Sequence, residues 1–254
     1  MQKTAKIAEK LCKKIKNNQD YDSFLNLLRG FSKNETIEDL ARHKAIINTK
    51  QEIIGIEMKT IRDIAKQIAR LGSHEFLEIA RNKVPQTSYY EETLIEGLVI
   101  AEIKDLDLQI SHLKNWVHKI DNWSTCDSVV TSLKRLKKSP QKYGYFKVFE
   151  KMTISDKEFE ARFGIVVMMS VYLSKEHISN IYARIKSIKN DAYYVKMAEA
   201  WLIASGFLID KDLTFKLLEE RALDKFIQNK AISKCRDSYR VSAQDKNNLI
   251  QYRM

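Results

Sequence analysis

Seven glycines and two prolines are all that punctuate 254 residues, far below average usage. An all-β sandwich or barrel spends turn residues at every reversal of the chain, so so few of them exclude it. Cysteine is equally scarce. Cys12, Cys126 and Cys235 stand alone and odd in number, which leaves neither a disulfide framework nor a CxxC metal knuckle and fits a reducing cytoplasm. No stretch approaches the ~20 apolar residues of a membrane span. No glycine-rich loop offers to cradle a nucleotide. The histidines, His43, His74, His112, His118 and His177, never fall four apart, and HExxH is absent. No metal and no cofactor are therefore expected.

What the chain lacks in acid it has in base. Lys+Arg 44 against Asp+Glu 33 leaves a net charge of +11 and a pI near 9.4. That surplus favours a polyanionic partner, nucleic acid or an anionic surface. The opening stretch "MQKTAKIAEKLCKKIKNN" never runs more than two apolar residues together, unlike a signal peptide. Its spacing of Ile7, Leu11 and Ile15 predicts a basic amphipathic helix over residues 1–19, docked on the core.

Apolar residues recur at three and four nearly everywhere: Ile61, Ile64, Ala65 and Ile68; Leu94 and Leu98; Leu213, Leu217 and Leu218. This is the period of helices, about a dozen of them, and no strand pattern competes. Pro85 and Pro140 fall between such segments, where a helix must stop. With no low-complexity linker, residues 1–254 read as one domain. A weak period then appears: Asp121, Asp156 and Asp191 each look like a helix N-cap, at intervals of 156 − 121 = 35 and 191 − 156 = 35. Ser155 with Glu158 adds a capping-box pattern at the second start. A period near 35 is that of paired-helix repeats. The expected fold is all-α, a HEAT-like superhelical solenoid of antiparallel helix pairs with a concave basic cleft.

Six residues beyond each aspartate stand Asp127, Arg162 and Met197, equivalent places on neighbouring helices roughly 10 Å apart. Trp123 precedes Asp127 by four and Trp201 follows Met197 by four, and residues four apart share a helix face. Trp123, Asp127, Arg162 and Trp201 should thus form one stripe. Two readings are open. In one, Asp127 and Arg162 are an ion pair between repeats and the tryptophans pack around it. In the other, indole faces hold a cation, the carboxylate stabilises positive charge and the arginine meets a phosphate. Cys126, with no histidine near it, reads as a small buried residue. The pairs Tyr89–Tyr90 and Tyr193–Tyr194 read as packing aromatics that open helices, the second close enough to line a cleft with Trp201.

Several stretches of the chain resemble the AlkD-type DNA alkylation-repair glycosylases, a family of HEAT-like helical repeat proteins. The resemblance rests on "NWSTCDSVV" (Trp123, Asp127, Ser128), "FEARFGIVVMM" (Arg162) and "VKMAEAWLIA" (Trp201). "IIGIEMKTIRDIAK" (Gly55, Arg62, Lys66) and "NKAISKCRDSYRVS" (Lys230, Arg236, Arg240) extend it over roughly residues 20 to 245. It implies hydrolysis of the N-glycosidic bond of N3- or N7-alkylated purines in duplex DNA. Trp123 and Trp201 would wall the cleft, Asp127 would be the catalytic carboxylate and Arg162 a backbone contact. Ser124 stands where members often carry an acid after the tryptophan, and Ala204 where some carry a second phosphate-binding arginine.

Local basic density adds Lys196, Lys230, Lys234, Arg236 and Arg240 as candidate phosphate contacts. The expected partner is duplex DNA containing alkylated bases. The chain is read as a monomer without membrane association, cytoplasmic and nucleoid-associated when bound. Two other functions stay open: a non-catalytic binder of damaged or branched DNA on the same scaffold, and a HEAT-like scaffold for protein partners.

Overall fold

The structure, a computed structural model, describes residues 15–32, 36–83 and 88–254. The helix expected over residues 1–19 falls mostly outside them, as does Pro85. Among the described residues there are 14 α-helices and no β-strand, only one isolated bridge between Glu52 and Tyr89. The helices pack in pairs, as those of a helical solenoid do. No described helix is long and apolar enough to cross a membrane. The chain gathers into two compact units, one ending at Leu136 and the other running from Lys137 to Met254.

In the first unit α1 spans Asn18–Arg29 behind its Asn17 cap, and α2 spans Ile37–Ile47 behind a Thr36/Asp39 capping box. The long α3, Met58–Arg81, kinks at Gly72. Its φ of 136° there is reached cheaply only without a Cβ. α4, Tyr90–Glu102, follows, and every residue from Tyr90 to Ala101 is buried, so this helix is the centre of the unit. α3, α5 (Leu106–Trp116) and α6 (Trp123–Val130) pack on it. The α6 contact depends on Gly97, since a Cβ there would run into the Trp116 ring and the Val129 side chain.

The buried acids of α4 are partnered. Glu91 accepts from the backbone N–H groups of Ile54, Gly55 and Ile56 at 3.0, 2.8 and 3.3 Å. Glu96 pairs with Lys119 at 2.8 Å, and Lys119 also donates to the Ala80 carbonyl. Glu92 accepts from the Tyr21 hydroxyl of α1 at 3.2 Å. Without these partners three carboxylates in a core would be strongly destabilising. The short α7, Lys134–Lys138, carries the boundary between the units.

In the second unit α9 (Glu158–Val167), α11 (Tyr193–Phe207) and α13 (Lys225–Asp237) lie side by side as an inner layer. α8 (Phe146–Met152) covers α9. α10 (Ile178–Ile185) and α12 (Lys211–Glu219) lie against α11, and α14 (Ala243–Asn248) follows. The inner position explains why seven of the ten α9 residues are buried.

The three expected aspartate caps are corrected. The N-cap of α6 is Asn122, that of α9 is Lys157 and that of α11 is Ala192, so each aspartate stands one residue too early. Asp121 instead accepts from the Thr49 hydroxyl at 2.9 Å and the Lys50 N–H at 2.7 Å. Ser155 donates to Glu160 rather than boxing with Glu158. The spacing survives the correction, because the helices start at 123, 158 and 193, again 35 apart.

Candidate functional site

Trp123 and Asp127 belong to the first unit, Arg162 and Trp201 to the second. In the first, α6 is held at its start from several sides. The fully buried Asn122 caps it, accepting from Thr125 N–H at 2.8 Å and donating to Asp121 at 2.8 Å. Trp123, the first residue of α6, donates its indole N–H to the Ile46 carbonyl of α2 at 3.1 Å. One edge of the ring is thereby fixed. Trp123 and Asp127 are the first and fifth residues of the helix, both half-buried, so they share a face one turn apart.

The neighbouring positions are tied inward. The Ser124 hydroxyl is 2.8 Å from that of Tyr90 on α4. Burial pushes the Tyr90 phenol above its usual range, with the Ser124 bond acting the other way. The Arg62 guanidinium donates to the Ser132 hydroxyl at 2.7 Å, which in turn donates to the Ser128 carbonyl at 2.8 Å. Arg62 of α3 thus braces the C-terminal end of the Asp127 helix. Cys126, fully buried, points into the core.

In the second unit Arg162 is buried, at 5% exposure. It donates to the Tyr194 carbonyl at 2.9 Å and its guanidinium carbon lies 5.8 Å from the centre of the Tyr194 ring. One turn earlier on the same helix, Glu158 accepts from the Tyr194 N–H at 2.8 Å. Two α9 side chains four apart therefore grip both backbone groups of one residue. Because α11 has no capping side chain of its own, Glu158 also satisfies an N–H that its first turn leaves open. Trp201, two turns further along α11, is half-buried.

The other basic candidates differ among themselves. Lys196 pairs with Asp224 at 3.6 Å. Lys230 and Lys234 are half-buried on α13, whereas Arg236 and Arg240 are exposed. Sequence reasoning missed Ile46, whose role is a backbone carbonyl and so leaves no residue signature. It also missed Glu158 as a clamp, although the 35-residue register placed it at the head of α9. Among the described residues no cluster of three His, Cys, Asp or Glu side chains could hold a metal.

An all-helical chain of paired helices, with a tryptophan and a carboxylate presented together from one helix, defines the class. The particular family follows from comparison: the model of the DNA alkylation repair enzymes matches residues 24–235, and the chain belongs to that family. No curated protein and no solved structure matched it.

Proposed function

We propose that the chain hydrolyses the N-glycosidic bond of N3- or N7-alkylated purines in duplex DNA. The observation that carries this reading is the pairing of Trp123 and Asp127 on one face of α6, half-exposed and braced from below, in a member of a DNA alkylation repair family. An alkylated purine already bears a positive charge. When the C1′–N bond breaks, its electron pair leaves with the base and neutralises it, so little acid catalysis is needed. The sugar is left with oxocarbenium character. Asp127 stabilises that charge and orients the water whose oxygen bonds to C1′, while the water's proton passes to the carboxylate or to solvent. The indole face of Trp123 favours the cationic base and sugar.

Arg162 is the phosphate contact in this reading. Its hold on Tyr194 fixes the side chain in advance, so little rotamer freedom is lost on meeting a phosphate. Lys196, Lys230, Lys234, Arg236 and Arg240 supply further backbone affinity.

The test is release of 7-methylguanine or 3-methyladenine from methylated duplex DNA. Asp127→Asn keeps the shape of the carboxylate and removes its charge, and should slow release by roughly a hundredfold or more with binding and folding intact. Equal rates for parent and variant would make Asp127 a structural residue. A parent protein that binds duplex DNA and releases no base would instead be a non-catalytic binder. That reading is favoured by Ser124, whose hydroxyl is engaged with Tyr90 where other members often place an acid.

A further inference from the structure

Four aromatic rings of the second unit form a continuous run, and of its members the glycosylase reading uses only Tyr194, as the anchor of Arg162. Phe159 is the second residue of α9, Tyr194 the second of α11 and Phe226 the second of α13. Tyr193 joins them. Ring centres are 5.4 Å apart from Phe159 to Tyr194, 5.1 Å from Tyr194 to Tyr193 and 5.9 Å from Tyr193 to Phe226. The run therefore crosses the starts of all three inner helices. It opens to solvent toward one end: Tyr193 is 56% exposed and Phe226 37%. Tyr193 and Phe226 thus keep part of their rings open to solvent at the first turns of α11 and α13, while Phe159 and Tyr194 behind them are half-buried.

The ladder is also held rigid. Tyr194 is gripped through both its backbone groups by Glu158 and Arg162. Asp224 caps α13 by accepting from the Phe226 and Ile227 N–H groups at 2.9 and 3.3 Å, which fixes the backbone of Phe226. Rings presented from fixed backbone lose little entropy when something flat stacks on them.

The charge around the ladder says what that flat group is attached to. Lys157 and Lys225 are exposed at the starts of α9 and α13. Of the acids there, Glu158 is occupied by the Tyr194 N–H and Asp224 by the helix start and Lys196. Asp156 and Asp191 stay exposed just before two of the helices. The region is thus more nearly balanced than a chain of net charge +11 taken whole. Ring faces carry most of the recognition here, with the exposed Lys225 beside them for the backbone, and the open rings of Tyr193 and Phe226 select bases that have no partner strand.

We propose that the Phe159–Tyr194–Tyr193–Phe226 ladder is a stacking platform for unpaired nucleobases, by which the protein binds single-stranded DNA or the unpaired bases around a lesion. The proposal rests on the DNA reading above and not on catalysis. It is tested with the full chain at low salt, by anisotropy of a labelled oligothymidylate and of an undamaged duplex. The paired change Tyr193→Leu with Phe226→Leu keeps apolar bulk and removes two π-faces. It should weaken single-strand binding about tenfold or more and leave duplex binding within about twofold. Tyr193→Trp, which keeps a π-face, should bind single strands at least as well as the parent. A thermal melt confirms that the leucine pair is folded.

Undiminished single-strand binding by that pair would overturn stacking and make the ladder an apolar patch of the kind a peptide uses. Equal losses on both DNAs in a folded variant would overturn its selectivity for unpaired bases. A parent that binds duplex but not single strands removes the platform and leaves the glycosylase reading standing. A parent that binds single strands through the ladder but releases no alkylated base does the reverse.

Discussion

Glu199 shows how far one residue can depart from its ordinary chemistry in this core. It lies on α11, 3% exposed, and burial pushes its carboxyl up to about 8, with Asp224 acting the same way and Lys196 opposing. An unfolded chain holds a glutamate near ~4.3. Between that value and about 8 the folded protein therefore carries a proton that the unfolded chain has lost. Stability from this group is greatest below the unfolded value, falls as pH rises, and is lost once pH passes the folded value. Glu199→Gln removes the titration. Urea unfolding at pH 5, 7 and 9 should give the variant a shallower loss of stability toward pH 9, by on the order of 1 kcal/mol per pH unit within the window. Identical slopes for the two proteins would contradict a protonated Glu199. Nothing in the sequence marked this residue, because "KMAEAW" reads as an ordinary helix and only the packing of other helices around α11 makes its carboxyl dry.

At the scale of elements, the approach of α4 to α6 decides where Trp123 and Asp127 stand. That approach has no room for a Cβ at Gly97, with Trp116 on one side and Val129 on the other. Gly97→Ala should gain slightly in helix propensity and lose far more to overpacking, a net destabilisation of about 1–3 kcal/mol. The shift in denaturant midpoint measures it, and a more stable variant would show that α6 moves freely. Under the proposed function, base release should fall as well, since α6 must shift to admit the methyl group. The element starts were partly legible. Tyr90 and Tyr193 open helices as their placement suggested, and the 35-residue interval is real in the helix starts. The aspartates that revealed the interval are nonetheless not the caps. A cap and its preceding residue look alike in sequence when both are Asp or Asn, as in "IDNW", and tertiary partners decide between them: Thr49 and Lys50 draw Asp121 away and leave Asn122 to cap.

For the whole molecule, the net charge of +11 carries the prediction that belongs to it. Affinity for undamaged duplex DNA should fall as salt rises, by about 0.9 log units per log of salt for each phosphate neutralised. Titrations across a range of salt concentrations give the slope. Arg236→Ala and Arg240→Ala, both at exposed positions, should each lower it by about one contact if they meet the backbone. An unchanged slope in both would remove them from the interface. No detectable duplex binding at low salt would remove DNA altogether.

The sequence by itself determined the all-helical class, the 35-residue spacing and the family, because each depends on local periodicity or on short strings of residues that survive in one dimension. It also placed Trp123 and Asp127 on a common face, since four residues on one helix fix that without any packing. Only the tertiary structure decided what each side chain is tied to: Trp123 to the Ile46 carbonyl, Ser124 to Tyr90, and Arg162 and Glu158 to the two backbone groups of Tyr194. Those ties join residues 32 to 77 positions apart, and three of the four end on backbone atoms. A backbone carbonyl or N–H is the same at every residue, so its partner is chosen by where helices meet and not by what the partner is.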